Sequence, residues 1–226
     1  MSTNYSSAWW LFTAERVSNA WGQTKQSWNP VNLLPTKWPA VNDPRPPKPL
    51  SNDMTAWLAH RISSDSQSQF VSGLRSAMRG PFGEIATTDA WISLVKTGAI
   101  WDFKKDIREA GVSDSNDNIR LGRHTLNFQV VANVYYGYMG RQIGFSETFL
   151  QAGAGVAQCE HGLAHCAGNL WDAPSYYGDQ AFDGWSVGFG FYLYNNYGNS
   201  PQSLNATTLT IALDSYVTGN PVPRGP

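Results

Sequence analysis

Two acids, two cations and an amide in this chain have the chemistry of a reactive site. Asp102 stands in Ile100-Trp101-Asp102-Phe103-Lys104-Lys105, placed to cap a short helix, with Lys104 two residues on. A cation beside a capping aspartate keeps the carboxylate ionised and oriented, which suits proton transfer when the pair is held in a cleft. Asp183 is the second acid. It lies on an apolar, glycine-dotted segment from Asp179 or Gln180 to about Tyr194, where an unpaired buried carboxylate is costly; it is therefore exposed, paired with a cation such as Arg141, or catalytic. Each feature also has a plain structural reading. Asp102 with Lys105, and Lys105 with Glu109, have helix-surface spacings, and these account for most of that segment's charges.

The stretch that must position these groups is Asn133-Val-Tyr-Tyr-Gly-Tyr-Met-Gly-Arg-Gln-Ile-Gly-Phe145. As a helix it carries Asn133, Gly137, Gly140, Arg141 and Gly144 on one narrow face, nearly bare backbone with an amide and a guanidinium. Each helical glycine costs roughly 1 kcal/mol relative to alanine, so close approach of another helix, or of a ligand held by Asn133 and Arg141, must offset them. Gly144-Phe145-Ser146-Glu147 then ends this helix and caps the next, in which Gly153 and Gly155 again allow close packing.

The rest of the chain reads as mainly α, a single compact multi-helix domain with glycine-faced central helices, preceded by an N-terminal helix and a Pro-rich linker. Its 226 residues, 42% hydrophobic, suffice for one substantial core. Residues 1–50 form the leading segment, 51–219 the main domain and 220–226 a disordered tail. Ala8 to Trp21 has helical apolar spacing, no basic region marks a signal peptide before it, and seven of the thirteen prolines fall between Asn29 and Leu50. Ser51 or Asn52 caps a helix to about Ile62; Ser64 to Met78 follows; Thr88 caps a helix to Val95 with Trp91, Ile92 and Val95 inward; Val112 to Arg123 is a loop; Ala206 to Val217 is the last helix.

A net charge of −1 gives no general attraction to nucleic acid, and no apolar run is long enough to span a bilayer. Ten tryptophans, ten tyrosines and ten phenylalanines serve either an aromatic-rich core or stacking platforms for sugars or bases. No cofactor is expected. Cys159, His161, His165 and Cys166 admit a disulfide, free thiols or a zinc site, although the spacing matches no common zinc-finger pattern.

The run Trp91-Ile-Ser-Leu-Val-Lys-Thr-Gly-Ala-Ile-Trp-Asp-Phe-Lys104, the 133–145 helix with Gly153-Ala-Gly155, and the Asp179-Gln180 helix together resemble the bacterial polymorphic toxin type 44 domain, from about Ser51 to Gly198. The resemblance implies a secreted antibacterial effector, delivered by a dedicated machine with a carrier or chaperone and neutralised in its producer by an immunity protein. It carries Asp102, Lys104, Asn133, Tyr136, Gly137, Gly140, Arg141 and Gly144 across by position, and Asp179 and Gln180 less firmly. Phe103 and Tyr135 stand where the family pattern has histidines, which argues against a histidine mechanism here.

Three activities fit a toxin of this composition. The first is peptidoglycan hydrolysis in the target periplasm, with Asp102 as acid or base, Asp183 as its partner, Lys104 beside them, and Asn133, Tyr136, Gly137 and Arg141 binding the glycan. The second is ribonuclease action in the target cytoplasm, with Lys104 and Arg141 stabilising phosphate charge. The third is non-enzymatic membrane disruption by the Trp-rich amino-terminal helix. An exported effector also gains about 2–3 kcal/mol from closing a small disulfide loop. Thiol counting on denatured, non-reduced protein from the periplasm is therefore expected to find Cys159 and Cys166 blocked; two free thiols would exclude the bond.

Overall fold

Asp53 opens the first described helix: its Oδ1 accepts the Thr55 N–H at 3.1 Å, and α1 then runs over Thr55–Ser66. This computed structural model describes residues 49–80, 83–96, 99–159 and 179–223, and every element below falls in one compact unit, Asp43–Pro226. The expected N-terminal helix, most of the proline-rich linker, and His161, His165 and Cys166 lie outside the described residues. Ser68 starts α2 (Gln69–Met78) by accepting the Val71 N–H at 3.1 Å, a cap that falls inside the helix expected from Ser64. Helix α3 spans Gly83–Val95, so Thr88 is interior rather than a cap, and its hydroxyl donates to Glu84 O at 2.6 Å. Trp91 is buried as expected, but Ile92 is 49% exposed.

Asp102 accepts the Lys104 N–H at 3.3 Å where α4 (Lys104–Ala110) begins, and Lys105 pairs with Glu109 at 3.6 Å on its solvent side. The expected loop beyond it contains part of an antiparallel hairpin, β1 (Asn118–Leu121) and β2 (His124–Asn127), in the register Ile119 to Leu126 and Leu121 to His124. Gly122 takes φ 59° in the two-residue turn, a conformation open to glycine. Arg120 bonds the backbone of Asn52 and Met54, which fastens the start of the unit to this hairpin.

Four further helices follow among the described residues: α5 (Gln129–Ile143), α6 (Glu147–Cys159), α7 (Ala181–Tyr197) and, after a short 3-10 turn, α8 (Ala206–Gly219). Asn205 and Thr208 form a reciprocal capping box on α8. At its far end Asn220, placed by sequence in a disordered tail, accepts the Trp185 indole N–H at 2.8 Å. No helix among the described residues is long and apolar enough to cross a membrane.

The core forms around α5, which packs on α1, α2, α4, α6 and α7. Its glycines explain the close approach. A Cβ built on Gly137 would lie 2.4 Å from Val187 O, and one on Gly190 would lie 2.4 Å from Val134 O, so α5 and α7 meet backbone to backbone. A Cβ on Gly140 would strike the Leu150 side chain at 2.4 Å. The glycine face is thus filled by neighbouring helices, and Gly137, expected to line a substrate, lies against α7.

Rings fill the side of α5 away from α7. Trp101 and Phe103 stand edge-on to Tyr135, with centroids 5.5 and 4.8 Å apart, and Trp91 lies 5.3 Å from Tyr136. Among the described tryptophans Trp91, Trp101 and Trp185 are buried, which favours the core reading of these rings over surface platforms.

Two glycines give opposite predictions. Gly190→Ala should cost roughly 3 kcal/mol, the upper part of the overpacking range, because rigid backbone faces the new methyl. Gly73→Ala, with nothing within 4 Å of its built Cβ, should stabilise α2 by about 0.5–1 kcal/mol. Urea melts of both variants check the contrast.

Candidate active site

Asn133 sits in the second turn of α5 and Asp183 in the first turn of α7. The contacts between these helices advance together, Asn133 to Asp183, Gly137 to Val187 and Tyr138 to Tyr194, so the helices run in parallel with their N-terminal ends side by side. The alignment lets the Asn133 amide donate to Asp183 Oδ1 at 2.7 Å. Asp183 is only 5% exposed, and burial raises its carboxyl above the ordinary aspartate value of 3.8. The nearby Lys104 charge and the Asn133 bond oppose that shift without cancelling it. Lys104, Asn133 and Asp183 therefore converge from α4, α5 and α7.

Asp102 adjoins this group through its bond to the Lys104 N–H, where the carboxylate shapes the start of α4. Tyr136, one turn after Asn133, donates to Leu150 O at 2.9 Å, and burial holds its hydroxyl well above the usual tyrosine range. Asp179, 2% exposed, accepts the Gln180 N–H at 2.9 Å and adds to the upward shift of Tyr136.

Arg141 stands elsewhere. It is eight residues beyond Asn133, about 12 Å along the helix axis. Its Nη1 donates to Phe145 O at 2.7 Å, its Nε lies 3.8 Å from Glu147 Oε1, and its guanidinium covers Tyr194 at 5.3 Å. The expected pairing of Asp183 with Arg141 is therefore corrected. Arg141 closes the turn between α5 and α6, and the amide of Asn133 takes its place at the acid.

A second buried polar cluster had no counterpart in the sequence reading. On α1, Arg61 pairs with Asp65, and Asp65 accepts the Tyr135 hydroxyl from α5. All three are buried, the Arg61 guanidinium lies 5.7 Å from the Phe103 ring, and burial together with the Asp65 charge pushes the Tyr135 hydroxyl well above its usual range. The i, i+4 spacing of Arg61 and Asp65 was the available signal. Among the described residues no three His, Cys, Asp or Glu side chains gather as a metal site.

These features define a helical domain with a buried acid held by an amide and flanked by a cation. Residues 90–196 match the family model described as Bacterial toxin 44, which supports the resemblance of this stretch to that family of bacterial toxins. The matched span contains Asp102, Lys104, Asn133, Tyr136, Asp179 and Asp183, and leaves Arg61 and Asp65 outside. No curated protein and no solved structure matches the chain. Likeness to this toxin family is consistent with secretion, with action on target cells and with an immunity partner.

The raised Asp183 carboxyl has a stability consequence. Between the ordinary value and the raised one the folded protein binds more protons than the unfolded chain, so stability falls as pH rises through that window and the loss is complete above it. Asp183→Asn removes the charge and keeps a carbonyl acceptor for Asn133. At pH 7 the variant should melt above the wild type, and the gap should close on acidification below about pH 4, where both forms are neutral. Calorimetry across that range checks it.

Proposed function

We propose that this domain is an antibacterial effector that hydrolyses the glycan of peptidoglycan in the target periplasm, with Asp183 as general acid. The observation that carries the reading is a buried carboxyl, raised by desolvation, whose Oδ1 is held by Asn133. A carboxyl whose pKa is raised by burial holds its proton more readily and can donate it to a glycosidic oxygen as the bond breaks, with Asn133 orienting the group through Oδ1. Lys104 then stabilises the carboxylate that remains, and Asp102 sets the start of the helix that presents Lys104. Tyr136 contributes the adjoining wall. The near-neutral charge of the chain suits a glycan better than a polyanion.

Ribonuclease action in the target cytoplasm is the second reading, favoured by the Lys104 charge beside Asp183, which could also stabilise a phosphodiester transition state. In either case a cognate immunity protein would protect the producer, and a carrier or chaperone would accompany secretion.

Purified full-length chain, incubated separately with peptidoglycan sacculi and with total RNA, should release muropeptides and leave RNA intact. Toxicity in a host should require a periplasmic export signal. Asp183→Asn should stay folded and lose at least about a hundredfold in rate, the usual scale of acid–base assistance. RNA cleavage with intact sacculi would replace the glycan reading by the second one; ion leakage without wall release would point to membrane disruption; and a fully toxic, folded Asp183→Asn variant would remove Asp183 from the chemistry.

A further inference from the structure

We propose that Gln151 is a positioning residue for the Asp183 carboxyl, holding the first turn of α7 where Asn133 meets the acid; the inference rests on the glycan-hydrolysis reading above and deepens it. Consecutive residues of α6 bond the two helices that carry the pair. Leu150 O accepts the Tyr136 hydroxyl of α5 at 2.9 Å, and Gln151 Nε2 donates to Gly184 O of α7 at 3.2 Å. Tyr136 is three residues beyond Asn133, and Gly184 directly follows Asp183. Helix α6 therefore grips α5 and α7 within one turn of the two residues whose side chains meet at 2.7 Å.

The Gln151 amide is only half used. Gly184 O can only accept, so the amide turns Nε2 toward it, and Oε1 is left buried with no donor. A buried acceptor without a partner destabilises by more than one neutral hydrogen bond stabilises, so as a strut for the fold this side chain is a poor choice. Methionine, similarly long and unbranched but without the amide, would fill the same space at no such cost. An unpaired polar atom in a native interior calls for an explanation, and the bond on the other half of the amide supplies one: it falls on the carbonyl next to the acid.

The hold matters because proton donation depends on placement. A general acid must stand within hydrogen-bond reach of the leaving oxygen, and a displacement of about 1 Å at a reacting group costs on the order of a hundredfold in rate. The bare backbone contacts between α5 and α7 fall at Val187 and Gly190, beyond the first turn of α7. Gln151 extends the hold to the turn that carries Asp183.

The test uses the full chain acting on soluble glycan strands of peptidoglycan. Gln151→Met should melt at or above the wild-type temperature, because the unpaired acceptor is gone. It should lower kcat by about tenfold to a hundredfold with KM little changed, because the acid and not the substrate loses its hold. In the Asp183→Asn background the same change should leave the remaining rate unaltered, since there is no acid left to position. Where that remaining rate is too low to follow, the split between kcat and KM decides alone. A wild-type rate in Gln151→Met, a raised KM with kcat kept, or an equal further loss in the Asp183→Asn background overturns the positioning role and leaves the glycan reading standing. A Gln151→Met variant that melts well below the wild type overturns it as well, since the bond then serves the fold. Folded wild-type protein that leaves the strands intact overturns the glycan reading and the Gln151 role with it.

Discussion

The backbone contact between α5 and α7 is the constraint on which the site depends. With a Cβ on Gly190 only 2.4 Å from Val134 O, no side chain larger than hydrogen lets these helices approach as they do. Parallel packing at this separation brings their N-terminal halves into register, and Asn133 and Asp183 come within 2.7 Å as a result. The same closeness excludes water from Asp183, and loss of water is what raises its carboxyl. Helix glycines, each unfavourable locally, are thus what convert an ordinary aspartate into one able to hold a proton.

The aromatic cluster sets the other side of that arrangement. Trp101, Phe103 and Tyr135 interlock around α5, and Tyr135 spends its hydroxyl on Asp65, which is itself paired with Arg61. Phe103 and Tyr135 touch each other as core rings. A buried tyrosine with its pKa pushed upward is a poor proton acceptor and a poor donor near neutrality. On the other flank of α5 the Lys104 charge acts on the buried Asp183 carboxyl.

Much of this fold was legible in the sequence. The cores of α5, α6, α7 and α8 follow from apolar spacing and glycine punctuation, and the Gly144 stop with the Glu147 start stands where the residues indicate. The hairpin over 118–127 was not legible as such. Its strands have four residues each, within a polar stretch where Ile119, Leu121 and Leu126 alone mark the buried side. Thr88 misled because a helix-interior threonine bonding back to Glu84 has the same local signature as a cap. The pairing at Asp183 was out of reach for another reason: Asn133 is fifty residues away, and only the separation of two helices decides whether an amide or the Arg141 guanidinium meets the acid. Arg141 found closer partners in its own turn, Phe145 O and Glu147.

A carboxyl held by Asn133 and raised by burial is the physical basis of the whole account, and its titration can be observed site by site. The Asp183 side-chain carboxyl carbon, assigned in a 13C NMR spectrum by comparison with Asp183→Asn, should be followed from pH 2 to pH 8 in the folded full chain. The account predicts an inflection clearly above the ordinary value of 3.8. An inflection at or below 3.8 in the wild type would contradict it, since a carboxyl ionised in that way has no proton to give a glycan near neutral pH.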